Sequence, residues 1–147
     1  MAVPMPSDAE LAVDIETELA RRVTGDALTR ARTLAKALLG GLDATDLAGR
    51  TPAAWAQLVL GYLDFAQRRP ASGPAIRIVM ATGAEPASAV QVINRDMPFL
   101  VASVTMELRR QGLRPQLVAH PVFPVLRDAG GTLQALGEPG SPESWIH

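Results

Sequence analysis

Residues 93–112, INRDMPFLVASVTMELRRQG, decide the fold of the second half of this chain. The stretch leaves a β-branched run, turns through Asn-Arg-Asp-Met-Pro and enters an apolar stripe at helical spacing, formed by Leu100, Val101, Val104 and Leu108. Asp96 is a strong N-cap residue, and Pro98 fits the first helical turn, where its missing N–H costs nothing. Gly112 follows two arginines and suits the end of a helix. The pattern predicts a strand, a tight corner, a helix capped by Asp96, and a glycine stop.

Extended segments surround this helix. Residues 75–80 (AIRIVM) and 89–93 (AVQVI) predict two strands joined by a loop. Residues 116–126 also read as extended, but Pro121 and Pro124 restrict them to an edge strand or a bulge. The turn RDAGGT predicts a hairpin whose second strand is LQAL, and SWIH at the end of the sequence begins another strand. The second half therefore predicts several strands around one helix.

The first part of the chain predicts helices. Ser7 and Glu10 fit a capping box, Gly25 and the pair Gly40-Gly41 interrupt the helical pattern, and Thr51 before a proline starts a further helix that two arginines, Arg68 and Arg69, would close. The apolar faces comprise Leu11, Ile15, Leu19 and Val23, then Leu28, Ala31, Leu34, Ala35 and Leu38, then Trp55, Leu58, Val59, Tyr62 and Ala66. A linker at 68–74 then separates a helical segment, 1–70, from an α/β segment, 71–147.

Composition excludes several classes of function. Fourteen basic and fifteen acidic residues leave a net charge of −1, which does not suit a nucleic-acid surface. The absence of cysteine excludes disulfides, thiolate catalysis and cysteine-ligated metals. The longest uncharged stretch, between Arg50 and Asp64, is too short for a membrane span, and early acids argue against a signal peptide. We therefore expect a cytoplasmic protein that binds neither nucleic acid nor membrane.

Little catalytic chemistry is available. His120 and His147 could join an acid in a metal site, but no ligand spacing supports it, and ordinary histidines are the alternative. Ser103, His120 and Asp96 could form a triad, but Ser103 lies in the predicted helix and no G-x-S-x-G is present. The acids of DATD, 43–46, suit a turn or a cap better than a cation site. With no dinucleotide fingerprint or Walker loop, we assign no catalytic and no metal-binding residue.

One corner of the predicted fold has a physical case for binding a ligand. A helix N-terminus exposes unpaired N–H groups that can hold a carboxylate, while Asp96 could face an ammonium group. Together these groups suit an amino-acid zwitterion, and capping by Asp96 of its own helix is the competing explanation. The candidate ligand-binding residues are Asn94, Arg95, Asp96, Met97, Pro98 and Phe99.

Three segments carry a resemblance to a known family. NRDMPFLVASVTMELRRQGL, HPVFPVLRDAGG and ESWIH together resemble the N-terminal, first ACT region of the large bacterial NAD-specific glutamate dehydrogenases. ACT domains are βαββαβ modules that sense small molecules. The resemblance extends over about residues 45–147 and implies an α+β fold, with N-terminal helices followed by a partial ACT-like (ferredoxin-like βαβ-β) unit with an antiparallel sheet. This unit would be incomplete at the C-terminus and would leave an open sheet edge and an uncovered apolar face. The family has acids at two positions where Arg95 and Ala102 stand here.

The resemblance also implies a function. The parent enzyme would convert L-glutamate and NAD to 2-oxoglutarate, ammonia and NADH, with its catalytic lysine and dinucleotide domain far downstream. This segment would hold no cofactor and would act as a regulatory and oligomerisation segment. Its implied partners are further copies of itself in a homo-oligomer, an amino-acid effector and the rest of the dehydrogenase chain. The alternatives are a free-standing amino-acid-binding ACT-type module and a structural interaction domain without catalysis.

Overall fold

The protein has a helical layer followed by an antiparallel sheet that one further helix interrupts. The computed structural model describes residues 7–82 and 87–147. Its elements in chain order are α1 (Asp8–Arg22), α2 (Gly25–Leu39), α3 (Ala44–Ala48), α4 (Pro52–Phe65), β1 (Ala75–Val79), β2 (Ala89–Arg95), α5 (Leu100–Arg110), β3 (Val122–Arg127), β4 (Leu133–Leu136) and β5 (Ser141–Ile146).

Local capping chemistry starts the helices of the first layer. The Ser7 hydroxyl accepts a hydrogen bond from the Glu10 backbone N–H, and the Glu10 carboxylate accepts one from the Ser7 N–H at 2.7 Å. Thr51 accepts from the backbone N–H of Ala54 at 3.1 Å, with proline at the first helical position. Both predicted helix starts are therefore confirmed. The DATD acids form a cap, because the Asp43 side chain accepts from the Asp46 backbone N–H at 2.8 Å and begins α3.

The end of α4 corrects one prediction. The helix ends at Phe65, and Arg68 and Arg69 lie beyond its last turn. Arg68 forms an isolated β-bridge with Thr132, and the Arg69 backbone N–H donates to the Gly131 carbonyl at 3.1 Å. The two arginines therefore join the helical layer to the turn between β3 and β4. Their backbone contacts with Thr132 and Gly131 are stronger than the weak attraction of a basic side chain to the C-terminus of α4.

The sheet has five strands in the order β1-β2-β5-β3-β4, and each neighbouring pair is antiparallel. Since β5 lies between β2 and β3 and is antiparallel to both, β2 and β3 are parallel, and α5 is the crossover that connects them. The predicted α+β class with an antiparallel sheet is confirmed, and the arrangement is consistent with an ACT-like unit.

The proline-containing strand occupies a different place from the one predicted. β3 pairs with β5 on one side and with β4 on the other, so it is not an edge strand. Of the two predicted alternatives, an edge strand or a bulge, the edge strand is therefore wrong. An interior strand tolerates these prolines because pairing with β4 begins only at Val125. On the other side, Pro124 lies opposite Pro142 of β5, and neither residue of this pair has an N–H to donate. A bulge does occur, between Leu126 and Arg127.

One core joins the helices to a single face of the sheet. Trp55, Tyr62 and Trp145 are its largest fully buried side chains. The Tyr62 hydroxyl donates to the Ile146 carbonyl at 2.6 Å and also lies 3.2 Å from the Val92 carbonyl, so α4 is tied to the backbones of two strands. Most residues of the predicted faces of α1, α2 and α4 are buried: Leu11, Ile15, Leu19, Ala31, Leu34, Ala35, Leu38, Trp55, Leu58, Val59, Tyr62 and Ala66. Val23 and Leu28 are half-buried, and no residue of the predicted α5 stripe is buried.

The opposite face of the sheet is partly uncovered. Ile76, Ile78 and Met80 alternate along β1 and its end, and they are 59%, 67% and 68% exposed. Within the described residues, β1 therefore presents apolar side chains to solvent on this face. In the part of the chain that the structure describes, no helix is long and apolar enough to cross a membrane.

Candidate functional site

The corner between β2 and α5 is the candidate binding site from the sequence. β2 ends at Arg95, and the Asp96 backbone N–H donates to the Pro142 carbonyl at 3.0 Å. The Ser144 hydroxyl of β5 donates to the Asp96 carboxylate at 2.7 Å. Asp96 is therefore attached to the neighbouring strand through both its backbone and its side chain.

The predicted capping role of Asp96 is wrong. α5 begins at Leu100, its N-cap position is Phe99, and no side chain caps it. Pro98 consequently lies before the helix and not in its first turn. The physical reason is that the buried Ser144 hydroxyl needs an acceptor, and the Asp96 carboxylate supplies it.

Phe99 has an unusual conformation at this corner. Its backbone adopts φ = +64°, in the left-handed region, and its side chain is 81% exposed. A non-glycine residue in this region costs about 1 to 2 kcal/mol. The turn thus presents an apolar ring to solvent beside a helix start whose first backbone N–H groups are not capped by a described side chain.

The six candidate residues form an open surface. Asn94 is half-buried and its side-chain amide lies 3.8 Å from the Met97 sulfur, whereas residues 95–99 are exposed. An exposed helix start can attract a carboxylate, but Asp96 already accepts the Ser144 hydrogen bond. The structure brings the six residues together at one corner, and whether they bind a ligand stays a prediction.

A buried charged cluster on β5 was not predicted as a unit. The Glu143 carboxylate accepts from Arg127 Nε at 2.7 Å, from Arg69 Nε at 3.1 Å and from the indole N–H of Trp145 at 3.0 Å. The side chains of Glu143, Arg127 and Arg69 are 4%, 7% and 13% exposed. One carboxylate therefore binds two guanidinium groups in a largely desolvated setting, and the three side chains together carry one net positive charge.

The same arginines also bind backbone carbonyls at the junction of the two layers. Arg127 Nη1 donates to Ala66 at the end of α4 and to Gly131 in the β3–β4 turn, at 2.8 and 3.0 Å. Arg69 Nη1 donates to the Gly73 carbonyl at 3.2 Å. The cluster fixes the connection after α4 against the sheet. Its members were visible in the sequence only as parts of a turn, a helix end and the ESWIH segment, and no local pattern joins them.

A second series of polar contacts connects α4, β1, β2 and His147. Arg77 Nε donates to the side-chain oxygen of Gln91 at 2.8 Å, and its Nη2 donates to the Gly61 carbonyl at 2.8 Å. The Gln91 amide nitrogen lies 3.0 Å from His147 Nδ1. Burial raises the pKa of the nearby Tyr62 hydroxyl far above its usual value, and this effect outweighs the opposing influence of the Arg77 charge. This series of hydrogen bonds stabilises the inner face of the sheet, and the described residues that form it include no nucleophile.

The other chemical alternatives find no support in the geometry. Among the described residues, no group of three or more histidine or acidic side chains could hold a metal ion. His120 Nε2 is buried and has no hydrogen-bond partner within the described residues, while Asp96 is bonded to Ser144. Ser103 is exposed on α5. The structure therefore does not assemble a triad from Ser103, His120 and Asp96.

A groove lies between the first two helices, away from the corner. Its volume is about 540 Å³, and its lining is mostly aliphatic, with an ion pair of 2.7 Å between Glu16 and Arg32 at its rim. The apolar residues that line it, such as Ile15 and Leu19, are themselves buried. The groove is a gap in the packing of α1, α2 and α3, and the described residues that line it do not bring catalytic groups together.

Known proteins resemble this chain over the residues that form these segments. The chain matches the family described as "Glutamate dehydrogenase, ACT1 domain" over residues 34–147, which include α4, α5 and the whole sheet. It is also similar to the NAD-specific glutamate dehydrogenase of Halomonas elongata, with 27% identity over an alignment of 135 residues that covers 88% of this chain and 8% of that relative. No solved structure matches the chain. The chain belongs to the glutamate dehydrogenase ACT1 domain family.

Proposed function

We propose that this chain is the N-terminal regulatory and oligomerisation segment of an NAD-dependent glutamate dehydrogenase. The observation that carries the proposal is the family match, which spans the α5 crossover and all five strands. The parent enzyme would convert L-glutamate and NAD to 2-oxoglutarate, ammonia and NADH in the cytoplasm. The helical segment, 1–70, would support the sensor-like α/β segment, 71–147.

The polar groups of this segment favour an architectural role over a catalytic one. Glu143 accepts hydrogen bonds from Arg69 and Arg127, and Arg127 also donates to the Ala66 carbonyl. Asp96 accepts a hydrogen bond from Ser144. A catalytic site needs a free acid, base or nucleophile directed at a common point. We therefore place the chemistry and the NAD site in the rest of the dehydrogenase chain.

The native polypeptide tests this proposal. An antibody raised against this segment would be used on an extract of the source cells, fractionated by size. We expect one band many times larger than 15.6 kDa that co-fractionates with NAD-dependent oxidation of glutamate. A band near 15.6 kDa, in fractions without that activity, would contradict the proposal and favour a free-standing module.

An amino-acid effector at the corner of residues 94–99 is a second part of the proposal. The uncapped start of α5 and the exposed Phe99 ring favour it, since the first offers N–H groups to a carboxylate and the second offers apolar contact. Arg95 and Ala102 replace acids of the family pattern, so the effector would meet less negative charge than in the relatives.

Calorimetric titration with each of the common amino acids would test the effector. We expect one of them to bind and to raise the melting temperature, because a ligand selective for the folded state stabilises it. Phe99→Ala should weaken this binding, whereas Val13→Ala, on the exposed face of α1, should leave it unchanged. If none of the amino acids produces heat or a thermal shift, the effector is excluded and the oligomerisation role remains.

A further inference from the structure

One amide on the inner face of the sheet lies between two side chains that can both carry a positive charge. Gln91 of β2 is 2% exposed and lies opposite Arg77 of β1. Its side-chain oxygen accepts a hydrogen bond from Arg77 Nε at 2.8 Å, and its side-chain nitrogen lies 3.0 Å from His147 Nδ1. The amide therefore bridges a guanidinium group and an imidazole ring.

The chemistry of Arg77 fixes the orientation of this amide. A guanidinium group has N–H donors and no acceptor, so the amide oxygen has to face Arg77 and the NH2 group has to face His147. Because the NH2 group can only donate, His147 Nδ1 has to accept. The geometry thus requires a neutral imidazole ring that carries its proton on Nε2.

A second proton on His147 is incompatible with this arrangement. Nδ1–H would then point at the NH2 group of Gln91, and two donors would face each other without an acceptor. A flip of the amide would give the oxygen to His147 but would turn the NH2 group toward Arg77 Nε. Since the two partners lie at opposite ends of the amide, its one oxygen cannot serve both cations.

The ring of His147 is packed against elements of both layers. Tyr62 of α4 contacts it with ring centroids 6.3 Å apart, and burial raises the pKa of the Tyr62 hydroxyl, which therefore stays neutral. The segment before β3 meets His147 through backbone hydrogen bonds with Ala119. The charges that act on the ring through these contacts are Arg77, behind Gln91, and the α-carboxylate of His147 itself.

The same contacts attach the helical layer to the sheet. Arg77 Nη2 donates to the Gly61 carbonyl of α4 at 2.8 Å, and its guanidinium group lies over the Phe65 ring at 4.7 Å. The Tyr62 hydroxyl donates to the carbonyl of Ile146, the residue before His147. Loss of either hydrogen bond of the Gln91 amide would therefore loosen the attachment of α4 to the sheet.

We propose that His147, Gln91 and Arg77 form a proton-sensitive joint between the helical segment and the sheet, and that protonation of His147 loosens it. The joint gives this part of the chain a response to acidification. Its purpose in the parent enzyme rests on the regulatory role proposed above, and its signal is a proton and not an amino acid.

Linkage determines the sign of the pH dependence. Histidine in an unfolded chain gains its second proton near pH 6.5, whereas the joint requires a neutral His147 in the folded state. The stabilising contribution of the joint is therefore fully present above about pH 6.5 and is lost as the pH falls below it. Uptake of one proton lowers the folding equilibrium constant by up to about tenfold per pH unit.

Nitrogen-15 NMR of the folded chain tests the geometry directly. Near neutral pH we expect His147 to be neutral with its proton on Nε2, and to gain its second proton only well below about pH 6.5. His120→Gln identifies the His147 signals, because the chain has two histidines. A proton on Nδ1 in the neutral ring, or a second proton gained at or above about pH 6.5, would overturn the proposal.

Gln91→Glu should reverse the pH dependence. A carboxylate at this position can accept from Arg77 and from protonated His147 at the same time, so the folded state would bind the second proton more tightly. The contribution of His147 to stability would then be present below about pH 6.5 and lost as the pH rises. Urea denaturation between about pH 5 and 8 measures this, and a pH dependence of unchanged sign would refute the joint.

Two further variants serve as controls. Gln57→Glu makes the same change of charge at an exposed position of α4 and should leave the sign of the pH dependence unaltered. His147→Gln should remove the contribution of this histidine both in the original chain and in combination with Gln91→Glu. If the loss of stability in acid persists undiminished in His147→Gln, other groups cause it and the proposal is wrong.

The α-carboxylate of His147 requires a control of its own. Addition of glycine and serine after His147 moves this charge away from the ring, and we expect the same tautomer and the same sign of the pH dependence. A change of either on extension would show that the carboxylate, and not the Gln91 amide, determines the protonation of the ring.

These results can be separated from those of the proposed function. A wrong tautomer, or a pH dependence that Gln91→Glu does not reverse, would refute the joint without affecting the link to glutamate oxidation. Conversely, a native band near 15.6 kDa would refute that link while the pH dependence could still be observed.

Discussion

Ser144 and Asp96, 48 residues apart in the sequence, are joined by a hydrogen bond of 2.7 Å from the Ser144 hydroxyl to the Asp96 carboxylate. Ser144 is fully buried, so its hydroxyl would otherwise lack an acceptor. The contact fastens the corner before α5 to β5. It also explains why α5 starts four residues later than Asp96 and without a side-chain cap.

Removal of this contact should reveal coupling between the two residues. Asp96→Ala should lower the free energy of unfolding by about 1 to 3 kcal/mol, because it leaves a buried hydroxyl without a partner. Asp96→Ala combined with Ser144→Ala should cost less than the sum of the single changes. Urea denaturation of the three variants measures this.

The matched control for the previous experiment is Asp43→Ala, which removes an observed N-cap and should cost about 0.5 to 2 kcal/mol. Its effect should be additive with Ser144→Ala. Additive losses for Asp96 and Ser144 would contradict the assigned contact.

Loss of the central carboxylate should strongly destabilise the fold. In Glu143→Gln, Arg69 and Arg127 would remain in a largely desolvated setting without a counter-charge, and we expect a loss of about 3 to 5 kcal/mol in the free energy of unfolding. Chemical denaturation measures the change. Glu107→Gln, which removes an exposed ion pair with Arg110, should have no comparable effect. Equal stability of the two variants would show that the buried cluster contributes little.

Tyr62 should resist ionisation in the folded protein. It is the one tyrosine in the chain, so the tyrosinate absorbance reports on it alone. Burial raises its pKa well above the value of about 10 in an unfolded chain. Above a pH of about 10 the unfolded state releases the Tyr62 proton that the native state keeps, so the free energy of unfolding should fall by up to about 1.4 kcal/mol per pH unit. Below a pH of about 10 the tyrosine is protonated in both states, and the stabilising contribution of the buried neutral hydroxyl is fully present.

The expected result for Tyr62 is a tyrosinate signal that appears only together with alkaline unfolding. Tyr62→Phe provides the control, because it removes the signal and this part of the pH dependence. A reversible titration near pH 10 in the folded protein would show that the hydroxyl is accessible and would contradict its burial.

The left-handed conformation of Phe99 predicts an unusual tolerance to glycine. Phe99→Gly should leave the free energy of unfolding unchanged or raise it by up to about 1 kcal/mol. Glycine adopts the left-handed conformation without steric cost, and this gain offsets the higher conformational entropy that glycine gives to the unfolded chain. Phe99→Ala keeps the left-handed cost and should give no gain. Thermal and urea unfolding of both variants provide the comparison, and a clear destabilisation by glycine alone would argue against φ = +64° at this position.

Much of the helical layer could be predicted because its signals are local. The Ser7–Glu10 capping box and the Thr51 cap act within one turn of helix, so neighbouring residues determine them. The apolar stripes of α1, α2 and α4 were likewise predicted correctly, since burial follows the helical period once a helix packs on a core, whereas the stripe of α5 is only half-buried. The strand segments were recognised from β-branched residues, although β2 continues two residues beyond the predicted end.

The sequence by itself thus determined where α1 and α4 begin, which faces the helices of the first layer bury, and that an antiparallel sheet follows. Only the tertiary structure decided that β5 lies between β2 and β3, that Asp96 serves Ser144, and that Glu143 gathers Arg69 and Arg127. The physical reason is the range of the interactions. Caps and periodic faces depend on residues three or four apart, whereas strand order and buried ion pairs depend on partners brought together from distant parts of the chain.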